Sequence, residues 1–545
     1  MSARFLSVAI VCAGLAVGCG TSPTMTTTTP ITRAEQSTFE ETSRYADVRA
    51  FIDALARQTP HVRVEMFGRS EEGRELPLLV VGDPPADLGS HGGPGVPTVL
   101  VMANIHAGEV EGKEAVLHLA RRLTVGDLQP LLKSAVWLFV PIYNADGNER
   151  ISLDNRSEQY GPVNGVGTRE NAKGLDLNRD FMKLESSEAR ALVSLFTRWD
   201  PDVVVDLHTT NGSYHGYHLT YAPSLNPNID PPINEFTRKR LLPDVRRVMA
   251  DRHQFRTYDY GNFAVAGSLD EELEGFGPDD MQKVWRTYDS RPRFGNNYIG
   301  LRNRIAVLSE AYSYVSFERR VRATEAFVEE IMRFVAAHGA EIGSLTTGAD
   351  AAQRTETRAE GGVAFALRSL PAPVDVLVGA IDMMVNPRSG KPMRIMIESV
   401  ATPTKMTVYD GFAATAARRV PTEYIVPATA NGLHEIVERK LREHGVLVDR
   451  RAAASRASVE QFAIAQVRHA DQLFQGHHTT SVTGRFERRE VDVPAGSLVV
   501  RTNQPLGRLV FYLLEPESDD GLTTWNFLDG ALHVGAAHPV LKSLP

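Results

Sequence analysis

Past residue 19 the chain has no cysteine: its only two, Cys12 and Cys19, lie in an apolar leader. No disulfide can brace the fold, even in an oxidising compartment, so stability must come from burial. Basic clusters are missing too. Without the leader's Arg4 there are 58 basic residues against 67 acidic and a charge of −9, which argues against nucleic acid as a partner. Long apolar runs are absent beyond FLSVAIVCAGLAVGC, which is of signal-peptide length and too short for a stable membrane-spanning helix. The whole chain is 42 % hydrophobic, enough for two or three globular domains.

The leader reads as an export signal over 1–19. Ala16-Val17-Gly18-Cys19 resembles the lipobox of bacterial lipoproteins, which implies lipidation of Cys19, a location in the bacterial cell envelope and membrane attachment by the lipid alone; a plain secretory leader is the alternative. The Thr/Pro-rich run that follows, over 20–45, is expected to be a flexible tether.

Four apolar runs, PTVLVMANIHAGE, AVWLFVPIYNADG, DVVVDLHTTNG and RIAVLSEAYSY, each end in polar residues. Rich in Val, Leu and Ile with little alternation, they fit strands buried on both faces of a largely parallel sheet. Val116, Leu119, Ala120 and Leu123 form one helical stripe between them. Phe327, Ile331, Phe334 and Val335 form another, expected to stop near Gly339. Ligands of open α/β sheets bind beyond the carboxyl ends of the strands, where all four polar constellations fall.

His106 and Glu109 there are separated by Ala107 and Gly108 alone, a spacing that lets both reach one metal ion if the turn is tight. A catalytic zinc commonly has three protein ligands, with His, His, Glu a frequent set. His208, at another strand end, is the candidate third. His215 and His218, spaced as HxxH, are rivals for that place.

GRSEEGREL (68–76), His106-x-x-Glu109, the Asn144-Ala145-Asp146-Gly147 turn, GTRENAKGLDLNRD (167–180), His208 and Glu310 in VLSEAY follow one another in the order found in zinc carboxypeptidases. Over roughly 46–340 the sequence resembles the carboxypeptidase A family, and the 167–180 segment looks most like its murein-peptide amidase branch. The resemblance implies one zinc per chain on His106, Glu109 and His208, Glu310 as general base, and Asn178 and Arg179 as the clamp on a substrate carboxylate. It implies Arg169 as oxyanion partner, with Arg156 as rival, and Tyr288 as a mobile substrate-side tyrosine, with Tyr298 as the alternative. Asp176 and Asp180 could instead tie Arg179 into a surface salt-bridge cluster.

The expected architecture is a three-layer α/β/α catalytic domain over 46–343 with a largely parallel mixed sheet. A strand-rich accessory domain over 344–545 follows a polar linker or exposed helix. Strand-like runs there include VDVLVGAI, RIMIESV, TKMTVYDGF, SLVVRTN and GRLVFYLLEP, with a helix in LHEIVERKLREHGV. The expected activity is zinc-dependent hydrolysis of a C-terminal amide bond in a peptide or murein peptide with a free carboxylate. An amidohydrolase acting on murein peptides or N-acyl amino acids is the enzymatic alternative, and an inactive peptidase-like binding lipoprotein is the non-enzymatic one. The anchor is directly testable: Cys19→Ser should move the exported protein from the membrane to the soluble fraction, because no other segment of the sequence can hold it. Membrane retention of the leader-free variant in fractionation would reject the lipobox reading.

Overall fold

The computed structural model describes residues 29–83, 95–264, 283–355, 359–429 and 431–544, so the leader and Cys19 lie outside the described residues. Its largest sheet has eight strands. Their spatial order is β1 (Val62–Arg69), β2 (Glu75–Val81), β4 (Val136–Val140), β3 (Thr98–Ala103), β5 (Val203–Thr210), β10 (Ile305–Tyr312), β6 (Leu219–Pro223) and β7 (Thr257–Asp259). The central strands β4, β3, β5 and β10 are mutually parallel. β3, β4 and β5 are buried at every position, as strands covered on both faces are. Antiparallel pairings flank them, β1 with β2, β2 with β4 and β10 with β6. This is the α/β fold with a largely parallel mixed sheet.

The register fixes where the chemistry falls. Ala103 at the end of β3 pairs with Leu207, and His208 pairs with Glu310 across β5 and β10. His106, His208 and Glu310 therefore gather at one edge of the sheet. The helix Glu111–Val125 starts directly after the HxxE turn and presses on β5: a Cβ at Gly112 would lie 2.7 Å from Leu207 Cβ and 3.3 Å from Ala103 Cβ.

Several elements differ from the expectations. The tether is folded from residue 29 on: Glu114 accepts from the Thr42 and Ser43 hydroxyls at 2.9 and 2.8 Å, and Arg121 grips Glu35 at 2.7 Å. A polar network holds that segment, which a count of apolar residues does not reveal. The helix that should stop near Gly339 runs from Phe317 to Thr355, with non-helical dihedrals only at His338. Gly339 is there for space, since a Cβ would meet Gly95 O at 2.8 Å and Pro97 Cδ at 2.9 Å. That helix passes straight through the 343/344 boundary. GRLVFYLL is a wholly buried helix, Gly507–Leu514, where a strand was expected; continuous apolar runs fit either element.

The strand-rich C-terminal region forms two more sheets. RIMIESV and TKMTVYDGF belong to one 28-residue strand, β13 (Pro392–Arg419), which pairs with β11 (Glu360–Ser369), β12 (Val374–Val385) and β9 (Val284–Arg286), and β9 pairs in turn with β8 (Asn262–Phe263). The second sheet thus interleaves strands from both sides of residue 344. The third has the order β15 (Asp449–Arg450), β18 (Leu498–Arg501), β14 (Glu423–Val426), β19 (Ala537–Ser543), β16 (Ser455–His469) and β17 (Thr480–Val493). Among the described residues no helix is long and apolar enough to cross a membrane.

Two glycine substitutions separate contact from propensity. Gly112→Ala should lower stability by about 1–3 kcal/mol through overpacking against Leu207. Gly343→Ala, whose added Cβ meets nothing within 4 Å, should be neutral or stabilising by up to about 1 kcal/mol. Urea titration of both variants is the measurement, and equal shifts would refute the packing argument.

Candidate metal and catalytic site

The turn after β3 opens at Asn104, whose φ is +65°, and Glu109 N–H closes it on His106 O at 2.9 Å. Gly108 is small because Arg156 lies against it: a Cβ would stand 2.9 Å from Arg156 Cδ and Nε. This tight turn brings His106 and Glu109 to His208, and the ligand atoms of all three lie within 4.8 Å of one another. Glu109 bridges the two rings, with His106 Nδ1 and His208 Nδ1 each 3.0 Å from one of its oxygens.

The far nitrogen of each ring rests on a carboxylate. His106 Nε2 is 3.0 Å from Asp176 Oδ1, and His208 Nε2 is 3.0 Å from Asp206 Oδ2. Such backing fixes ring orientation and raises the basicity of a metal-binding imidazole. The donor set suits zinc: two oriented imidazoles and one carboxylate, all buried, converge on one point. Burial pushes the Glu109 carboxyl up, but His106 and Arg156 outweigh it and hold the group well below the usual range. Asp176 is held low against burial by His106, Arg179 and Arg169. For His208, burial works downward and loses to Asp206 and Glu109, which hold it well above the ordinary value.

Glu310 follows the opposite course. Burial dominates, Glu109 adds repulsion, and the carboxyl is pushed up to about 8 despite His208. A carboxyl shifted this far in a cleft is a candidate for acid–base work.

A cavity of about 310 Å³ opens over these groups, and Arg156, Arg169, Asn178, Arg179 and Tyr288 also line it. Arg156 donates to Glu109 Oε1 at 2.5 Å and to Thr209 O at 3.4 Å, tying it to the ligand cluster. Arg169 is held by Asp176 at 2.9 Å, with Nη1 4.0 Å from Glu109. Asn178 Oδ1 accepts from Gly295 N–H at 2.9 Å, and the Arg179 guanidinium stacks 3.9 Å above the Phe294 ring. The surface salt-bridge expectation fails for Asp180, which is buried and pairs with Lys183 at 2.7 Å; Asp176 lies 3.8 Å from Arg179 but is itself buried against His106. The rivals fall elsewhere. His215 is packed against Tyr312 and Trp285, His218 bonds Glu398 at 2.9 Å, and Tyr298 bonds His444 at 2.9 Å.

Other residues were not foreseen. Tyr260, Asn262, Phe294 and Asn296 line the cavity, and Asn296 Nδ2 donates to the Tyr288 hydroxyl at 3.1 Å. Tyr260 and Phe294 lie in loops, and Asn262 and Asn296 lie in the two-residue strand β8 and the short helix Gly295–Leu301, elements too brief to leave a periodic signal. Gln475, nearly 300 residues further along the chain than its partner, accepts the Asp176 backbone N–H at 2.9 Å. Two quoted motifs turn out to be bracing: Asp146 accepts from Ser70 Oγ and Arg74 at 2.6 Å each, and Asn144 Nδ2 donates to Arg169 O at 3.1 Å.

Residues 48–276 match the family described as zinc carboxypeptidase. Over 547 aligned residues the chain is 23 % identical to carboxypeptidase 2 of Trichophyton equinum, covering 96 % of this chain and 90 % of that one. It is 32 % identical to carboxypeptidase D of Mus musculus over 143 residues, 25 % of this chain and 10 % of the other. Among solved structures, carboxypeptidase A of Helicoverpa armigera is similar at 16 % identity and a TM-score of 0.40, with 55 % of this chain and 75 % of that chain covered.

Asp206 offers a test of the ligand cluster that leaves all three ligands in place. Asp206→Ala should weaken zinc affinity by about 10–100-fold, the usual effect of losing such a carboxylate. Competition against a chromophoric chelator measures it. An unchanged affinity would mean that His208 does not hold the metal.

Proposed function

From a chain whose residues 48–276 belong to the zinc carboxypeptidase family, and which is a zinc metallopeptidase of carboxypeptidase type, we propose an enzyme that removes the terminal residue from peptides bearing a free carboxylate. The reading includes one zinc per chain and export on a lipid anchor at Cys19. The observation that carries it is the convergence on one cavity of His106, Glu109 and His208 with Glu310 and three arginines.

His106, Glu109 and His208 would hold the zinc, which when bound supplies Lewis acidity that acidifies water and polarises a carbonyl. Glu310, in register with His208, takes a proton from the attacking water and later returns it to the leaving amine. Arg169 faces the oxygen on which negative charge develops, a task suited to a permanently charged guanidinium. Arg156 supports the same region but is committed to Glu109 and Thr209. Arg179 and Asn178 receive the terminal carboxylate and set the scissile bond relative to Glu310. Tyr288, braced by Asn296, borders the space for the terminal side chain.

Two substitutions separate chemistry from recognition. Glu310→Gln keeps size and hydrogen bonding but cannot take the proton, so kcat should fall by about 10² or more while zinc and peptide still bind. Arg179→Ala should reduce kcat/KM strongly for free-acid peptides and little for the same peptides amidated. Steady-state kinetics with mass-read products decides. Unchanged turnover in Glu310→Gln would move the base elsewhere, and binding of free-acid peptides without any hydrolysis by the wild type would favour the scaffold-only alternative.

A further inference from the structure

Ten large apolar side chains are exposed among the described residues, and only at Met383, Met384 and Val385, exposed by 54, 45 and 62 %, do three follow one another. They end β12 where it turns back into β13. We propose that this hairpin tip is a membrane-docking element, seated on the lipid surface to which the N-terminal tether holds the protein. The proposal rests on the reading of Cys19 as the point of attachment.

Successive residues of a strand point to opposite faces, so three exposed in a row mean that the hairpin stands clear of the body on both sides. Its base is firm. Met393, opposite Met384, and Met396 are buried, and the turn closes through Asn386 N–H on Lys391 O at 2.8 Å and Gly390 N–H on Asn386 O at 2.9 Å. The tip and the tether share one side of the molecule. Arg388 in the turn pairs with Glu40 at 3.2 Å, and Asn386 Nδ2 donates to Val163 O at 3.2 Å. Asn164 N–H donates to Glu40 O at 3.2 Å, and Glu41 pairs with Arg33, two residues after the exposed Ile31. Thr29, where the described chain begins, lies ten residues beyond Cys19, a span of at most about 35 Å. A membrane that holds Cys19 is therefore within reach of the segment that grips the hairpin.

The contact is apolar rather than electrostatic. Arg388 and Lys391 beside the tip are paired with Glu40 and Asp154, at 3.2 and 2.6 Å, and the exposed Asp382 ends the apolar run on the strand side. Three side chains cover less apolar surface than one acyl chain, which by itself binds membranes only marginally. The tip thus acts once the tether has raised its concentration at the lipid, and it does not hold the protein there alone. Docking also orients the cleft. Arg394, opposite Met383, bonds the Tyr314 hydroxyl at 3.3 Å and Glu158 at 2.9 Å. Gly212 N–H, at the cavity wall, donates to the same hydroxyl at 3.3 Å, so the cleft wall keeps a fixed attitude to the docked tip.

The chain from Cys19 onward carries a single thiol, which couples either to a maleimide lipid in phosphatidylcholine vesicles or to a soluble maleimide as reference. Peroxide oxidation of Met383 and Met384, read by peptide mass, then reports whether the tip is covered. On vesicles both should oxidise about threefold or more slowly than in solution, at high salt as at low, because lipid shields the thioether from a water-borne oxidant. Met66, exposed on the edge strand β1, should keep its rate. In Met383→Glu the charge at the tip should return Met384 to its solution rate while the protein stays coupled. Equal rates on vesicles and in solution overturn the proposal, as does equal slowing of Met66 or protection that survives Met383→Glu. Protection in solution that deepens with protein concentration would give the tip to a second copy of the chain and overturns it too. The lipid is supplied chemically, so the result stands whether or not the cell lipidates Cys19, which the Cys19→Ser fractionation decides separately.

Discussion

One buried carboxylate, that of Asp176, ties the site together. Its Oδ1 lies 3.0 Å from His106 Nε2 and accepts the Asn178 N–H at 2.8 Å, while Oδ2 holds Arg169. Its own backbone N–H reaches Gln475 in the β16–β17 hairpin. The His106 ring, Arg169, the start of the Asn178–Arg179 turn and a distant hairpin are thereby fixed to one residue. Burying this charge is tolerable because each oxygen is occupied by donors or cations.

The C-terminal region supports the same segment from behind. Lys440 Nζ donates to the carbonyls of Lys183 and Leu184, His477 meets Glu185 at 3.0 Å, and Arg293 reaches Asp520. These contacts converge on 176–185 and on the loop beside it. The stretch carrying Asn178 and Arg179 is a short 3₁₀ turn, which has little rigidity of its own, so its geometry is borrowed from what packs on it.

The catalytic half was readable in the sequence because its chemistry sits where apolar runs stop. PTVLVMA and VVVDL are unmistakable strands, and the polar residues after them have no structural reason to cluster unless they share a site. The stacked ring of Phe294, Asn296 and Gln475 left no comparable mark: Phe294 and Gln475 lie in aperiodic loops and Asn296 in the short helix Gly295–Leu301, and the role of each depends on which distant segment folds over it. The helical run GRLVFYLL resembles a strand for a related reason, since a wholly buried element shows no alternation of polar and apolar residues from which to infer its period. The length of the helix Phe317–Thr355 was likewise masked by a glycine that serves close packing.

The interleaving of β8 and β9 with β13 bears on how the protein is made. Val284 pairs with Thr407, so a strand in the loops that border the cleft stays without its partner until more than a hundred further residues have been synthesised. Pairings this remote in sequence form slowly, and an open strand edge invites pairing with other chains. A nascent chain released early, or trimmed after the long helix, would present that edge with Asp176 lacking its Gln475 contact. The segment that carries Asn178 and Arg179 therefore gains its last support only once the hairpin bearing Gln475 has closed on it.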